Sequence, residues 1–226
     1  MKEGRITITA KAVLLLLFLS CNQAEQSNPG QAARDSLSVV TNKLNFYNSI
    51  VYPKMVAAAQ TGDIVTRLGN DLTSAMLAKM NLRNNSFSHV GIISIENDTV
   101  FVYHALGGEF NPSQKLRRET LWSFAHPADN KQIGIFRFDF SPKEIKTLQQ
   151  TAQEQYKKEI PFDMDFDLTT DDKLYCAEFV AKALNKTANN PHFISVTHTP
   201  AKDYFGVDDI FLHPGVKKIL DIATIR

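Results

Sequence analysis

The spacing of apolar residues changes several times along the chain, and each change marks an element. Between Gln31 and Gln60 they recur at three- and four-residue steps (Leu37, Val40, Leu44, Tyr47, Val51). This predicts a mostly helical segment that breaks or kinks at Pro53. Thr61 to Arg67 reads as a turn and a short strand, and Asp71 to Met80 as a helix with Asp71 at its N-cap. Phe87 to Ile95 and Thr99 to Ala105 are rich in β-branched residues and apolar on both faces, the pattern of two strands inside a sheet. Glu96-Asn97-Asp98 between them marks a tight turn. Gly107 to Ser113 is a loop, Leu116 to Phe124 is expected to be a short helix around Trp122, and Gln132 to Phe138 alternates as a third strand. Ser141-Pro142-Lys143-Glu144 has a cap residue, a first-turn proline and a third-position glutamate, and starts a helix running to about Lys158. Phe162 to Leu168 alternates aspartate with apolar residues, as in a strand with a solvated face of Asp163, Asp165 and Asp167. The spacing lacks the glycine and terminal glutamate of a calcium loop, and no metal is assigned. Asn189 to Ile210 is loop-rich, with His192 and His198 read as surface or core histidines, and the chain from Gly215 onward forms a last strand or helix.

The first thirty residues follow a different rule. Lys2, Arg5 and Lys11 precede an apolar run from Ala12 to Leu19, then Ser20-Cys21. That is a charged region, a short hydrophobic region and a small residue before a cleavage point, too short to span a bilayer comfortably. Phe18-Leu19-Ser20-Cys21 resembles the lipobox of bacterial lipoproteins, with phenylalanine where leucine is usual. The resemblance implies lipidation of Cys21 and a membrane-anchored protein of the bacterial cell envelope; the alternative is an ordinary secretory peptide cut nearby. Asn22 to Gly30 is polar and reads as a tether. The expected organisation is a leader at 1–21, a tether at 22–31 and a single domain at 32–226.

With 226 residues, 43% of them hydrophobic, the chain can bury one sizeable core. A formal net charge of +1 argues against a nucleic-acid partner. There are two cysteines. If Cys21 carries lipid, Cys176 has no partner within the mature chain, which points to a reactive or intermolecular role and rules out a disulfide framework or a zinc ribbon.

Cys176 lies in Asp171-Asp172-Lys173-Leu174-Tyr175-Cys176-Ala177-Glu178-Phe179-Val180, at the first turn of a predicted helix whose apolar positions continue through Ala183 and Leu184. Asp171 and Asp172 stand where a cap or first-turn carboxylate belongs. The helix dipole and exposed N–H groups there favour thiolate, against the plain alternative of a small buried apolar residue. A nucleophilic thiol needs a base and a group to orient that base. His89 is the candidate base and His104 the candidate orienter. If the hairpin has an even-numbered loop, such as Asn97-Asp98, the two rings share a face and come within hydrogen-bonding reach; an odd-numbered loop separates them. The backbone N–H of Cys176 is a natural oxyanion donor.

These residues carry a family resemblance. Gly62-Asp63-Ile64-Val65, Ser88-His89-Val90-Gly91-Ile92, Tyr103-His104-Ala105 and Phe162-Asp163 through Tyr175-Cys176-Ala177-Glu178-Phe179-Val180 resemble the YiiX-like branch of the permuted papain-fold cysteine hydrolases. These are relatives of the NlpC-type amidases and the lecithin–retinol acyltransferases. The resemblance implies an α+β fold, an antiparallel sheet packed against helices, with the histidine strand ahead of the nucleophile helix. It implies Cys176 as nucleophile, His89 as base and His104 at the third position, where many relatives carry glutamate and the acyltransferase branch carries histidine. Asp63 and Tyr175, inside the matching motifs, are expected to contact substrate. The activity implied is cleavage of an amide, in a cell-wall peptide or related molecule, by a monomer without cofactor. Acyl transfer, lipid-ester or thioester hydrolysis with the same residues, and a non-catalytic ligand-binding module are the alternatives.

Overall fold

The structure, a computed structural model, describes residues 29–108, 111 and 113–223. The leader, Cys21 and most of the expected tether lie outside the described residues. Residues Pro29 to Gln31, placed in the tether by their polarity, belong instead to helix α1 (Pro29–Phe46). The chain divides into two units after Asn42, not after residue 31. After α1 comes a π-helical turn (Tyr47–Val51), then α2 (Tyr52–Ala58) with Pro53 in its first turn. Proline lacks the N–H an α-helix would need at that point, and the wider turn just ahead of it takes up the break.

The unit after Asn42 is built on a six-stranded antiparallel sheet. In chain order its strands are β1 (Ile64–Gly69), β2 (His89–Glu96), β3 (Thr99–His104), β4 (Arg117–Thr120), β5 (Asn130–Phe138) and, near the end, β8 (Val216–Ala223). Their spatial order is β4-β3-β2-β1-β5-β8. Helix α3 (Leu72–Ala78) follows β1, with Asp71 capping it by accepting from Ser74 N–H at 2.8 Å. Helix α4 (Leu121–Phe124) follows β4, and α5 (Pro142–Lys157) and α6 (Cys176–Thr187) follow β5. A two-residue ladder, β6 (Thr197–His198) with β7 (Asp203–Tyr204), and α7 (Val207–Phe211) precede β8.

Both faces of the central strands are covered. Ile64, Val90, Ile92 and Tyr103 pack with Phe179, Val180 and Leu184 of α6; Val65, Ile93, Val102 and Ile135 pack with Tyr47, Met55 and Phe124. This accounts for strands that read as apolar on both faces. Between β2 and β3 the turn residues Asn97 and Asp98 both have positive φ (48° and 61°), and Glu96 pairs with Thr99. That is a two-residue primed turn, which Asn and Asp tolerate better than other residues with a Cβ. The loop is even, so His89 and His104 share a face.

Two expected elements differ. Leu116 to Phe124 is a strand as far as Thr120 and only then a helix, started by the Thr120 hydroxyl accepting from Ser123 N–H at 3.2 Å. Pairing with β3, not local propensity, makes the first half extended. Phe162 to Leu168 is no strand: the buried Asp163 carboxylate accepts from the N–H of Asp165 at 2.9 Å and of Asp167, and Phe166 has φ +54°. The alternation came from a loop wound around one carboxylate.

Glu96, at the end of β2, accepts from Ser94 Oγ (2.9 Å), Tyr103 OH (2.8 Å), Arg118 Nη2 (2.6 Å) and Gln153 Nε2 (3.2 Å), joining β2, β3 and β4 to α5. Burial alone would raise its pKa, but the bonds from Arg118, Tyr103, Ser94 and Gln153 outweigh it and hold the carboxyl at about 2. A folded-state pKa below the unfolded one stabilises the fold above the unfolded value, and that contribution is lost as pH falls through the folded pKa. Glu96→Gln is therefore expected to cost about 2 kcal/mol at neutral pH. In denaturant titrations the gap to the parent protein should close between about pH 4.5 and pH 2; a gap that does not change with pH would count against this assignment.

Candidate active site

Cys176 is the first residue of α6, behind Tyr175 as N-cap. Asp171 and Asp172 were expected at the cap, but the helix starts later. Asp171 instead pairs with Lys182 (2.5 Å), and Glu178 reaches back to accept from Tyr175 N–H at 3.3 Å. The sulfur's position follows from the sheet. Ile93 N–H donates to Asp63 O across β1 and β2 (2.8 Å), so in the alternation of an antiparallel ladder Val90, opposite Thr66, turns its N–H away from β1. On that side the β2–β3 ladder ends at Ile92↔Tyr103. The Val90 N–H is thereby left to act on the Cys176 thiol, together with the N–H groups of Ala177 and of Cys176 itself.

The helix terminus does not make this thiol a thiolate. Burial raises its pKa to about 11, outweighing the pull of the Val90, Ala177 and Cys176 N–H groups and of the Arg67 charge. The resting pair is therefore a neutral thiol and a neutral imidazole. Alkylation of Cys176 by iodoacetamide, followed on its peptide by mass spectrometry, is expected to be slower than for a free thiol at neutral pH and to climb through about pH 9–11. A rate plateau near neutrality would contradict this.

His89 Nε2 lies 2.8 Å from His104 Nδ1, and His104 Nε2 lies 3.0 Å from Glu119 Oε1 of β4. Gly91 permits the close approach: a Cβ there would sit 2.6 Å from Val102 Cγ1, 2.9 Å from the Tyr103 carbonyl oxygen and 3.1 Å from His104 Cβ. The Glu119 approach is an ion-pair contact and not a well-formed hydrogen bond, since His104 Nε2 has no hydrogen-bond partner among the described residues; the carboxylate's charge still favours a proton on the nitrogen that faces it. Burial would raise the Glu119 pKa, but His104, Ser123 and Arg117 hold it at about 2.

An ionised carboxylate only accepts, so the proton of a neutral His104 sits on Nε2 and its Nδ1 accepts from His89 Nε2–H. That leaves the lone pair of His89 on Nδ1, the nitrogen free to take a proton. Burial first, then the Arg67 charge and His104, push the His89 pKa well below its ordinary value, so the ring is neutral and basic at neutral pH. His104 is lowered by burial and partly restored by Glu119. Val90, which donates to the sulfur, directly follows His89 in the chain; no hydrogen bond joins sulfur and ring among the described residues. Cys176 and His89 keep 8% and 6% of their surface exposed while His104 keeps none, so nucleophile and base are the members of the group that solvent reaches.

The structure brings His89 and His104 together and adds Glu119, Arg67 and Phe124 around them; Cys176 packs in one cluster with Val90, the residue after His89. Glu119 sits in a segment that reads as helix, and without the strand assignment nothing marks it. Asp63 and Tyr175 do not hold open polar groups toward a ligand. Asp63 is buried in a bidentate pair with Arg137 (2.6 and 2.7 Å) and also accepts from Gln60 N–H (2.8 Å). It precedes β1, while His89 pairs with Arg67, about 13 Å along the strand at 3.3 Å per residue. Tyr175 is buried, its hydroxyl accepting from Phe205 N–H at 2.7 Å. At both positions the side-chain polar atoms are engaged inside the protein. A cavity of about 630 Å³, lined by Thr151, Leu168, Phe179, Lys182, Lys186 and Pro191 among others, lies on the far side of α6 and includes none of the three candidate catalytic residues.

No curated protein matches this chain. The crystal structure of YiiX from Escherichia coli O157:H7, described there as a metalloprotein, has a similar fold, with a TM-score of 0.59 over 73% of this chain and 98% of that one at 18% identity. Among the described residues here, no group of three His, Cys, Asp or Glu side chains is placed to hold a metal ion. Residues 58–198, which hold every member of the site, match the family of permuted papain-like amidase enzymes, YaeF/YiiX, C92. The chain belongs to that family and is, at the family level, a cysteine hydrolase of the amidase type.

Proposed function

We propose that the protein cleaves an amide bond in a cell-wall peptide or related molecule through Cys176, His89 and His104, with Glu119 behind them. The observation that carries this is the 2.8 Å contact of His89 with His104, backed by the Glu119 carboxylate 3.0 Å from His104 Nε2. The Cys176 sulfur attacks the carbonyl carbon as its proton passes to His89 Nδ1. The carbonyl oxygen takes up the negative charge, facing backbone N–H groups at the start of α6. His89 then protonates the leaving amine, leaving a thioester on Cys176. Water attacks the thioester, giving a proton to His89, and the returning thiol releases the acid. Because thiol and imidazole rest neutral, proton transfer accompanies attack and does not precede it.

The leader pattern supports a lipid on Cys21 and a place in the bacterial envelope, where such a substrate would be met. Incubating the full chain with peptidoglycan fragments and with acyl esters, then quenching in acid, is expected to release new amine and carboxyl ends from the fragments and to leave an acyl adduct on Cys176. Cleavage of esters alone would move the assignment to an acyl-ester hydrolase or transferase. The raised thiol pKa favours one further reading, a non-catalytic module that only captures its ligand; binding without adduct or product would establish it.

A further inference from the structure

Arg67 stands directly across from His89 in the β1–β2 register. Its guanidinium lies 4.7 Å from the centre of the Phe124 ring, and Nη1 donates to the Phe124 carbonyl at 3.0 Å. The same ring stacks on His89 at 5.7 Å and meets His104 edge-on at 5.2 Å. Arg67 thus shares one aromatic platform with both histidines. It differs from other arginines of this unit in what it lacks. Arg83, Arg117, Arg118 and Arg137 have carboxylate oxygens at 2.9, 3.4, 2.6 and 2.6 Å. Among the described residues Arg67 has no carboxylate partner, although it is half buried. The acids that its charge reaches are engaged elsewhere: Glu119 with His104 and Arg117, Asp129 with His126 at 3.6 Å, and Asp71 with the Ser74 N–H and hydroxyl at 2.8 and 2.7 Å.

A guanidinium carries five N–H donors, and one carbonyl satisfies only one of them. A half-buried cation without a counterion is costly unless an anion arrives to pair with it. The fork of a guanidinium matches a planar carboxylate. Its field also reaches the nucleophile, since the Cys176 thiol and the Arg67 guanidinium each shift the other's pKa.

We infer that Arg67 is a specificity-determining residue that binds a carboxylate of the substrate, so that the preferred substrates are amides with a free carboxylate near the scissile bond. This deepens the hydrolase reading and rests on it for the scissile bond; the anion site at the Phe124 platform beside His89 does not depend on turnover.

The test therefore uses thiol chemistry. Cys176 of the full chain is treated with iodoacetate and iodoacetamide, and separately with anionic dithionitrobenzoate and neutral dithiodipyridine, with glutathione as reference. The ratio of anionic to neutral rate is expected to exceed that of glutathione by about tenfold or more at low salt. In Arg67→Gln it should fall to the glutathione ratio, while the neutral reagents change by less than about threefold; Arg67→Lys should keep part of the preference. Should Arg67→Gln fail to fold, succinate is expected to protect the parent protein against iodoacetamide in a saturable way, and succinamide is not. A ratio no higher than that of glutathione, an equal ratio in the parent and Arg67→Gln, or no protection by succinate would overturn the proposal. Anion preference without amide turnover would sink the hydrolase reading and leave this site standing; turnover without anion preference would do the reverse.

Discussion

Cys176→Ala is expected to lower amide hydrolysis by about ten-thousandfold or more, because a site whose members act as a unit loses almost all of its covalent pathway with the nucleophile. The loss should fall on kcat. The side chain removed is small, it sits 8% exposed at the first position of α6, and alanine keeps the helix geometry and the N–H groups that face the carbonyl oxygen. Substrate binding should change by less than about threefold, as for an interaction made only on the way to the transition state. The measurement is steady-state kinetics on the fragment cleaved by the parent protein, with binding to the alanine variant followed by calorimetry. Turnover retained by the alanine protein would remove Cys176 from its role.

Glu119→Gln should cost about a hundredfold to ten-thousandfold in kcat, for a reason that lies behind His104 and His89. The parent carboxylate can only accept, and this fixes a proton on His104 Nε2 and the lone pair of His89 on Nδ1. Glutamine offers an amide NH₂ to the same nitrogen. If it donates, His104 carries its proton on Nδ1, His89 must accept at Nε2, and the proton of His89 moves onto the nitrogen that should receive one from the thiol. The fold has little cause to change, since glutamine is nearly isosteric and the β3–β4 register holds Glu119 opposite Val102 through backbone bonds. The distinguishing readout is the split: kcat falls, KM moves little, and Glu119→Asp recovers part of the rate. A kcat within about threefold of the parent would show that the carboxylate does not set the tautomers.

Local pattern made much of this legible. The Ser141 cap with Glu144, the Asp71 cap, the hairpin at Asn97-Asp98 and the helical spacing after Cys176 all depend on neighbours a few residues apart, and all appear where their side chains require. The pairing of His89 with His104 was legible only up to a parity, and the two-residue turn resolved it. Glu119 was hidden because Leu116 to Phe124 has no alternation that outweighs its charged, aromatic composition; an edge strand is made by the strand beside it. The aspartates of 162–168 misled in the opposite sense, because their alternation mimics a strand while Asp163 gathers the backbone of its own loop. Between a thiolate at the helix terminus and a buried thiol local pattern could not choose, because the burial that raises the Cys176 pKa comes from distant segments.

The sequence by itself determined most of the elements outside 116–120 and 162–168, the cysteine at a helix start, the two histidines and the family to which these motifs belong, since each rests on local spacing or on residue type. Tertiary structure alone decided that the β2–β3 ladder stops at Ile92 and Tyr103, that a carboxylate from β4 meets His104, and that among the described residues Arg67 has no carboxylate partner. Those outcomes depend on which strands become neighbours and on how much water their packing excludes, and both are properties of the assembled sheet.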